Sequence, residues 1–285
     1  MEIKFNNVSF SYNVKTPLEK EVLKNINIEI ENGKINSIIG KSGSGKSTMI
    51  QLINALNYPT KGIVEVGTFV LDSINKKRIK KINDLRVNIG LIFQFPEEQF
   101  FNMTVYDEIS FGMKYLKFKT NDIEKRIVNA LRMVGLNKNY LYRNPFTLSS
   151  GEKRKVAIAS ILAYNPLVII LDEPTIGLDS ISKKKLIELI ITLRNRYKKT
   201  IILVSHDIDL IHQISDKIIV LHDGKVVLEG NKYDVFKHEL ELKKYGIKLP
   251  RIIEFSNLVY KKTGKKIGYR DDINDILKDV YRHAR

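Results

Sequence analysis

The stretch from Ile35 to Ser47 constrains this chain more than any other. An apolar run, Ile35 to Ile39, is followed by Gly40-Lys41-Ser42-Gly43-Ser44-Gly45-Lys46-Ser47, which opens a helical stretch from Ser47 to Leu56. The pattern G-x-x-x-x-G-K-[ST] between a strand and a helix is the arrangement that cradles phosphates. Its glycines let backbone N–H groups converge on phosphate oxygens without Cβ interference, and the helix N-terminus adds partial positive charge. Lys46 is placed to reach the β- and γ-phosphates of a nucleotide. Ser47 offers a hydroxyl to Mg²⁺, with Thr48 as a further hydroxyl nearby. A glycine-rich turn without a ligand is the plain alternative, and the strand-loop-helix context argues against it.

A second element extends the reading. Leu167-Val168-Ile169-Ile170-Leu171 is a buried-strand run that ends on Asp172-Glu173. An aspartate at the carboxyl end of a parallel strand beside a phosphate loop can hold Mg²⁺, leaving the adjacent carboxylate as general base for an attacking water. Asp172 is assigned to the metal and Glu173 to the base. Alone, the pair would read as ordinary polar residues at a strand end.

Other segments supply the frame of an α/β fold. Ile3, Phe5, Val8 and Phe10, then Ile26, Ile28 and Ile30, read as strands, closed by an Asn32-Gly33 turn. Val168 to Leu171 and Ile201 to Val204 read as parallel strands separated by a helical segment, Ile181 to Tyr197. Between the two halves, about 95–163 carries helical periodicity, including Asp122 to Val134 and Ser150 to Leu162. Asp223-Gly224 predicts a hairpin after Ile218 to Leu221. From Asn231 onward the chain carries 14 Lys and Arg against 8 Asp and Glu, with Ile252, Phe255 and Val259 at helical spacing after Pro250. That spacing predicts a small helical appendage packed on its own domain or on a partner.

Composition narrows the classes. At 285 residues with 43% hydrophobic and 28% charged residues, the chain can bury a substantial core. No apolar run approaches the ~18 residues of a membrane span, and the start MEIKFNNVSF lacks the pattern of a secretory signal, so a cytoplasmic chain is expected. The absence of cysteine excludes disulfides, thiolate metal sites and cysteine nucleophiles. A formal net charge of +16 fits nucleic acid, an anionic membrane face, a nucleotide, or simply a lysine-rich solvated surface.

Phosphate loops occur in kinases, GTPases and helicases alike, and the remaining motifs decide among them. Leu148-Ser149-Ser150-Gly151-Glu152, some twenty residues before Asp172, resembles the LSGGQ signature of the ATP-binding cassette (ABC) ATPases. In that family Asp172-Glu173-Pro174-Thr175 is followed by a D-loop, matched by Gly177-Leu178-Asp179. Gln94 matches the Q-loop glutamine, a contact to Mg²⁺ and water, and His206 in Val204-Ser205-His206-Asp207 matches the switch histidine, a contact to the γ-phosphate. Tyr12 matches the aromatic that stacks on adenine. The resemblance spans about residues 3–230. It implies a RecA-like parallel sheet core with an N-terminal antiparallel β subdomain, an inserted helical subdomain at about 95–163, and a C-terminal helical extension over 231–285. ATP and Mg²⁺ are the implied ligands.

In this family the signature closes over the γ-phosphate held by the opposite subunit. With one phosphate loop and one signature, Ser149, Ser150, Gly151, Glu152 and Asp179 are expected to serve a partner's nucleotide, and hydrolysis to need a dimer. Two departures bear on that composite site. Ser150 stands for a glycine, adding a Cβ where the backbone nears phosphate, and Glu152 stands for the glutamine, adding negative charge nearby.

Phe93-Gln94-Phe95-Pro96-Glu97-Glu98-Gln99-Phe100-Phe101, followed by Thr104 to Gly112, resembles the ATPases of energy-coupling factor transporters, especially the second of their two types. The resemblance implies a heterodimer with the other ATPase type at the cytoplasmic face of the membrane. It implies docking beneath a transmembrane coupling protein that serves vitamin- or metal-binding membrane subunits, with no nucleic acid partner. The segment after Gln94 would line the groove for coupling helices, whereas core packing is the alternative for Phe95, Phe100 and Phe101. The competing functions are an ATPase of another ABC importer class, a soluble ABC-type ATPase acting on nucleic acid, and a module that binds nucleotide without turnover.

Overall fold

A computed structural model describes residues 1–74, 82–116 and 118–264, together with 274, 275 and 278. Among the described residues, one sheet is antiparallel and four-stranded, in the order β2-β1-β4-β5, from β1 (Ile3–Tyr12), β2 (Lys20–Ile30), β4 (Lys61–Val66) and β5 (Phe69–Leu71). The second is six-stranded, in the order β10-β9-β3-β8-β7-β6, from β3 (Ile35–Ile39), β6 (Ile89–Ile92), β7 (Val168–Asp172), β8 (Thr200–Val204), β9 (Lys217–His222) and β10 (Lys225–Gly230). All neighbours in this sheet are parallel except the β9-β10 hairpin. Asp223 and Gly224 both take positive φ, 47° and 78°, as the short turn of that hairpin requires.

The parallel strands read as continuous apolar runs because both faces are covered, and side chains alternate between two cores. Ile169, Leu171, Ile201 and Leu203 face one way, into a core shared with α5 (Ser150–Leu162), α6 (Ser180–Asn195) and α7 (Ile208–Ile214). Val168, Ile170, Ile202 and Val204 face the other, with α1 (Lys46–Ile53) and the antiparallel sheet. A one-residue slip would exchange these faces, so the cores fix the register that aligns the strand ends around the site.

Several boundaries differ from the sequence expectation. Helix α1 stops at Ile53 rather than Leu56 because Ala55 turns left-handed at φ 50°, and the amides of Leu56 and Ala55 donate to the carbonyls of Gln51 and Leu52. That is a Schellman stop, which does not require glycine when the site tolerates a small Cβ. The helical region expected from residue 95 begins as a 3-10 turn, Pro96–Gln99, after left-handed Phe95. Regular helix starts only at α3 (Val105–Tyr115), followed by α4 (Thr120–Met133). Strands β4 and β5 and helix α2 (Ile82–Asn88) went unread in the sequence.

After β10 come α8 (Lys232–Lys237), α9 (Glu239–Lys244) and α10 (Arg251–Thr263). Val235, Phe236, Leu242, Ile247, Leu249 and Ile253 are buried in the same core as the parallel sheet, so this part of the extension packs on its own chain. The expected extension also includes 265–273, 276–277 and 279–285, which lie outside the described residues.

Candidate nucleotide site

Strands β3, β8, β7 and β6 end side by side, and each delivers a sequence-predicted site residue at its carboxyl edge. The phosphate loop follows β3, His206 follows β8, Asp172 and Glu173 close β7, and Gln94 follows β6. Ligands bind at this edge of an open α/β sheet because loops leaving there converge on a crevice.

The loop itself depends on two glycines. Gly40 has φ 155°, and a Cβ there would lie 2.2 Å from the Leu221 carbonyl oxygen. Gly45, at φ 106°, caps α1, and its Cβ would meet Leu23 Cδ2 at 2.7 Å. Lys46 is 6% exposed, and its ammonium donates to the carbonyls of Gly40 at 2.8 Å and Lys41 at 2.9 Å. Burial pulls its pKa down, opposed by the charges of Glu173 and Asp172. The buried Ser44 hydroxyl has no hydrogen-bond partner among the described residues. Ser42 and Gly43 form the exposed crest of the turn.

Ser47 Oγ donates to Asp172 Oδ2 at 3.2 Å, so two of the three residues expected to hold Mg²⁺ meet. Burial raises the pKa of Asp172, with Ser47, Lys46 and His206 working against the rise. Glu173 is buried and left-handed at φ 49°, a conformation uncommon outside glycine and concentrated at functional sites. Its Oε2 accepts from the His206 amide at 3.2 Å and from Ser205 Oγ at 3.4 Å. Its Oε1 lies 3.2 Å from His206 Nε2 yet accepts no aligned hydrogen bond. Burial raises the Glu173 pKa most, and the His206 amide lowers it.

Gln94 is exposed and its side chain makes no hydrogen bond among the described residues, so it sits at the same edge without joining the others. Tyr12 shares its hydroxyl with Thr48 Oγ1 at 3.2 Å and with Gln51 Oε1 at 3.4 Å, while its ring meets Phe10 edge-on at 4.8 Å. The Thr48 hydroxyl, expected near phosphate, is thus engaged by Tyr12.

The signature lies elsewhere in the chain. Ser149, Gly151 and Glu152 line a cleft of about 560 Å³ between α5 and α6, whereas Gly40, Lys41, Ser42 and His206 line one of about 600 Å³. Among the described residues none lines both, so the signature and the phosphate loop of one chain open onto different clefts. Ser149 caps α5 and Ser150 is the exposed first residue of that helix. Asp179 caps α6, accepting from the amides of Ile181 and Ser182 and from Ser182 Oγ, which lower its pKa. A Cβ on Gly151 would touch Ser182 Oγ at 3.4 Å, so signature and D-loop helices start side by side.

The carboxylate of Glu152 is tied to the cap of α5 and to Tyr140. Its Oε2 accepts from Ser149 N at 3.0 Å and Ser149 Oγ at 2.8 Å, and its Oε1 from Tyr140 OH at 2.6 Å. These bonds, Tyr140 first, lower its pKa to about 2. A depressed carboxylate contributes stability that is present above its ordinary pKa, ~4.3, and fades as pH falls toward the folded value. Glu152→Gln keeps the capping geometry but not the charge. Its stability difference from the parent should therefore shrink between about pH 6 and pH 3. Chemical denaturation at both pH values measures this; a constant difference would contradict a role for the ionised group.

Arg154 escaped the sequence reading. It is 4% exposed on α5, and its guanidinium binds Glu97 Oε1 at 2.7 Å, the Pro174 carbonyl at 2.9 Å and the Ile176 carbonyl at 3.3 Å. One buried cation thus ties the signature helix to the turn after Gln94 and to the segment after Glu173. Lys183 on α6 pairs with Asp207, next to His206.

A family described as ABC transporter matches residues 23–176. The chain belongs to the ABC transporter family. Its relatives in that family include an energy-coupling factor transporter ATP-binding protein, EcfA2, of Staphylococcus epidermidis. That protein is 41% identical over 262 residues, covering 92% of this chain and 91% of the relative. EcfA2 of Spiroplasma kunkelii is 41% identical over 287 residues, covering 99% and 93%. Among solved ABC structures, cbiO1 of Clostridium perfringens, part of the ABC transporter complex cbiONQ, superposes with a TM-score of 0.73 at 35% identity, covering 88% of this chain and 96% of that one. The ATP-binding cassette MJ0796, a dimer bound to ADP and Pi, superposes with a TM-score of 0.70 at 31% identity, covering 80% and 98%.

Proposed function

We propose that this chain is the ATP-hydrolysing subunit of an energy-coupling factor importer, powering uptake of a vitamin or metal ion. The observation that carries the reading is the meeting, at one sheet edge, of Lys46, the Ser47–Asp172 pair and the Glu173–His206 pair. Lys46, the loop amides and the unpartnered Ser44 hydroxyl bind the phosphates, and Tyr12 packs the base. The donor set fits Mg²⁺: Ser47 and Asp172 are hard oxygen ligands, and among the described residues no group of three or more His, Asp or Glu competes to cage a metal. Ser47, Asp172 and Gln94 would hold the ion, which when bound neutralises charge on the phosphates.

Glu173 supplies the base. Its Oε1, buried and free of an aligned donor, takes the proton of the attacking water, while burial keeps its basicity above that of an ordinary glutamate. His206 stands at that oxygen and orients water and γ-phosphate by position. Ser149, Ser150, Gly151 and Asp179 complete the nucleotide site of a second ATPase subunit, and that subunit's signature completes this one. ATP-driven closure and reopening of the pair then moves the membrane helices.

No helix among the described residues is long and apolar enough to cross a membrane. Phe101 (58% exposed) and Phe111 (53%) stack edge-on at 4.8 Å, beside exposed Met103, on the outer face of α3. Phe100 packs inward and Phe95 lies against Arg154. We assign the exposed aromatics to the groove that receives coupling helices at the cytoplasmic face. Affinity purification of the tagged chain from native membranes should bring down a second ATPase and a polytopic membrane protein. Recovery with nucleic acid, and without membrane protein, would overturn the assignment.

A further inference from the structure

Gly246 ends α9 in the left-handed conformation, φ 68°, with the amides of Gly246 and Ile247 donating to Lys243 and Leu242. Helix capping accounts for the conformation. It does not account for what lies over the glycine. A Cβ there would fall 1.9 Å from Lys41 Cε and 2.5 Å from Lys41 Nζ. Gly135 and Gly264 end α4 and α10 with the same handedness, and a Cβ at either would meet nothing closer than 3.8 Å. Gly246 alone among these three is closely covered by another segment, and that segment is the start of the phosphate loop at Lys41.

The contact belongs to a strut. Tyr245, one residue earlier, lays its ring on His222 at 4.8 Å, directly after Leu221, whose carbonyl abuts Gly40. Arg251, five residues later, binds Asp209 twice, amide to Oδ1 at 2.8 Å and Nε to Oδ2 at 3.0 Å. Asp209 lies on α7 just past His206. The segment 246–251 therefore touches the first turn of the phosphate loop and the helix behind the switch histidine, and both ends line the same cleft of about 600 Å³.

We propose that Tyr245–Arg251 couples the C-terminal extension to nucleotide binding, with Gly246 as the positioning residue that seats Lys41 at the rim of the cradle. The proposal rests on the reading of Gly40–Ser47 as the phosphate site. Lys41 is exposed and flexible, so a side chain at 246 evicts it rather than unfolding the extension. Eviction turns a cation away from the mouth of an anion site and releases the loop residue that follows Gly40.

The test is a double-mutant cycle on the full-length chain, read by calorimetric titration with Mg·ATP. Gly246→Asn carries a Cβ yet tolerates the left-handed region, which separates eviction from backbone strain. It should weaken Mg·ATP binding about threefold to tenfold, the coupling expected of side chains in contact, with unchanged Tm. In the assembled transporter KM for ATP should rise while kcat stays within about twofold. Lys41→Ala should show a similar loss, and the double variant no further one. An undiminished Gly246→Asn effect in the Lys41→Ala background, or no effect in the parent, overturns the proposal. Lys46→Ala run in parallel separates the failures: if it weakens binding and Gly246→Asn does not, the strut alone is wrong, and if neither does, the cradle reading falls.

Discussion

Glu173→Gln is expected to lower ATP turnover of the assembled transporter by about 10²–10⁴-fold, the size of a general-base contribution, while Mg·ATP binding persists. The substitution preserves shape, and an amide oxygen can still accept from the His206 amide, so the local fold is kept. What disappears is the buried carboxylate oxygen beside His206 Nε2. Because burial already penalises the ionised form, a neutral amide should leave Tm unchanged or raise it. Steady-state hydrolysis together with nucleotide titration checks both halves. Turnover within about threefold of the parent would remove Glu173 from the role of base.

Lys46→Ala should act one step earlier, weakening Mg·ATP binding by about 10–100-fold, as expected from losing charge-assisted hydrogen bonds. Its ammonium sits between the loop carbonyls of Gly40 and Lys41 and within reach of the charges of Asp172 and Glu173. Removing it leaves two carbonyls without their donor and concentrates negative charge where phosphates must enter. Lys46→Arg should not rescue binding, since a planar guanidinium does not fit a buried position shaped for a compact ammonium. Calorimetry reads the loss, and an affinity within about twofold of the parent would contradict the phosphate assignment.

The parts of the fold that carry the site could be read from the chain because their signals are local. Ile35 to Ser47 holds strand, turn and helix start in thirteen consecutive residues, and Val168 to Glu173 ends an apolar run on two carboxylates. Strand β4 is hard to read because one of its two partners, β1, lies some sixty residues away, its other, β5, is only three residues long, and its short alternation competes with lysine and glycine. The end of α1 is not legible because a left-handed alanine, Ala55, stops the helix where no glycine marks it. In sequence Arg154 is one more cation in a basic helix, and its importance lies in carbonyls and a carboxylate brought from two other segments. Sequence shows the added negative charge of Glu152 but not that Ser149 and Tyr140 hold its carboxylate at the helix cap.

Gly246 makes the same point from the other direction. In sequence it is a helix-ending glycine like Gly135, and only the folded chain lays Lys41 across it. The extension, joined to the sheet core through Phe236 and Leu242, is thereby built into the nucleotide site rather than appended to it.

The central claim is that the turn Gly40–Ser47 wraps the phosphates of ATP and that a second subunit's signature seals them. A crystal structure of the assembled Glu173→Gln transporter with Mg·ATP tests it most directly. The account predicts phosphate oxygens within hydrogen-bond distance of the loop amides and of Lys46 Nζ, the metal on Ser47 and Asp172, and the partner subunit's signature helix facing the γ-phosphate. Nucleotide bound elsewhere, or a turn whose amides point away from it, would contradict the account.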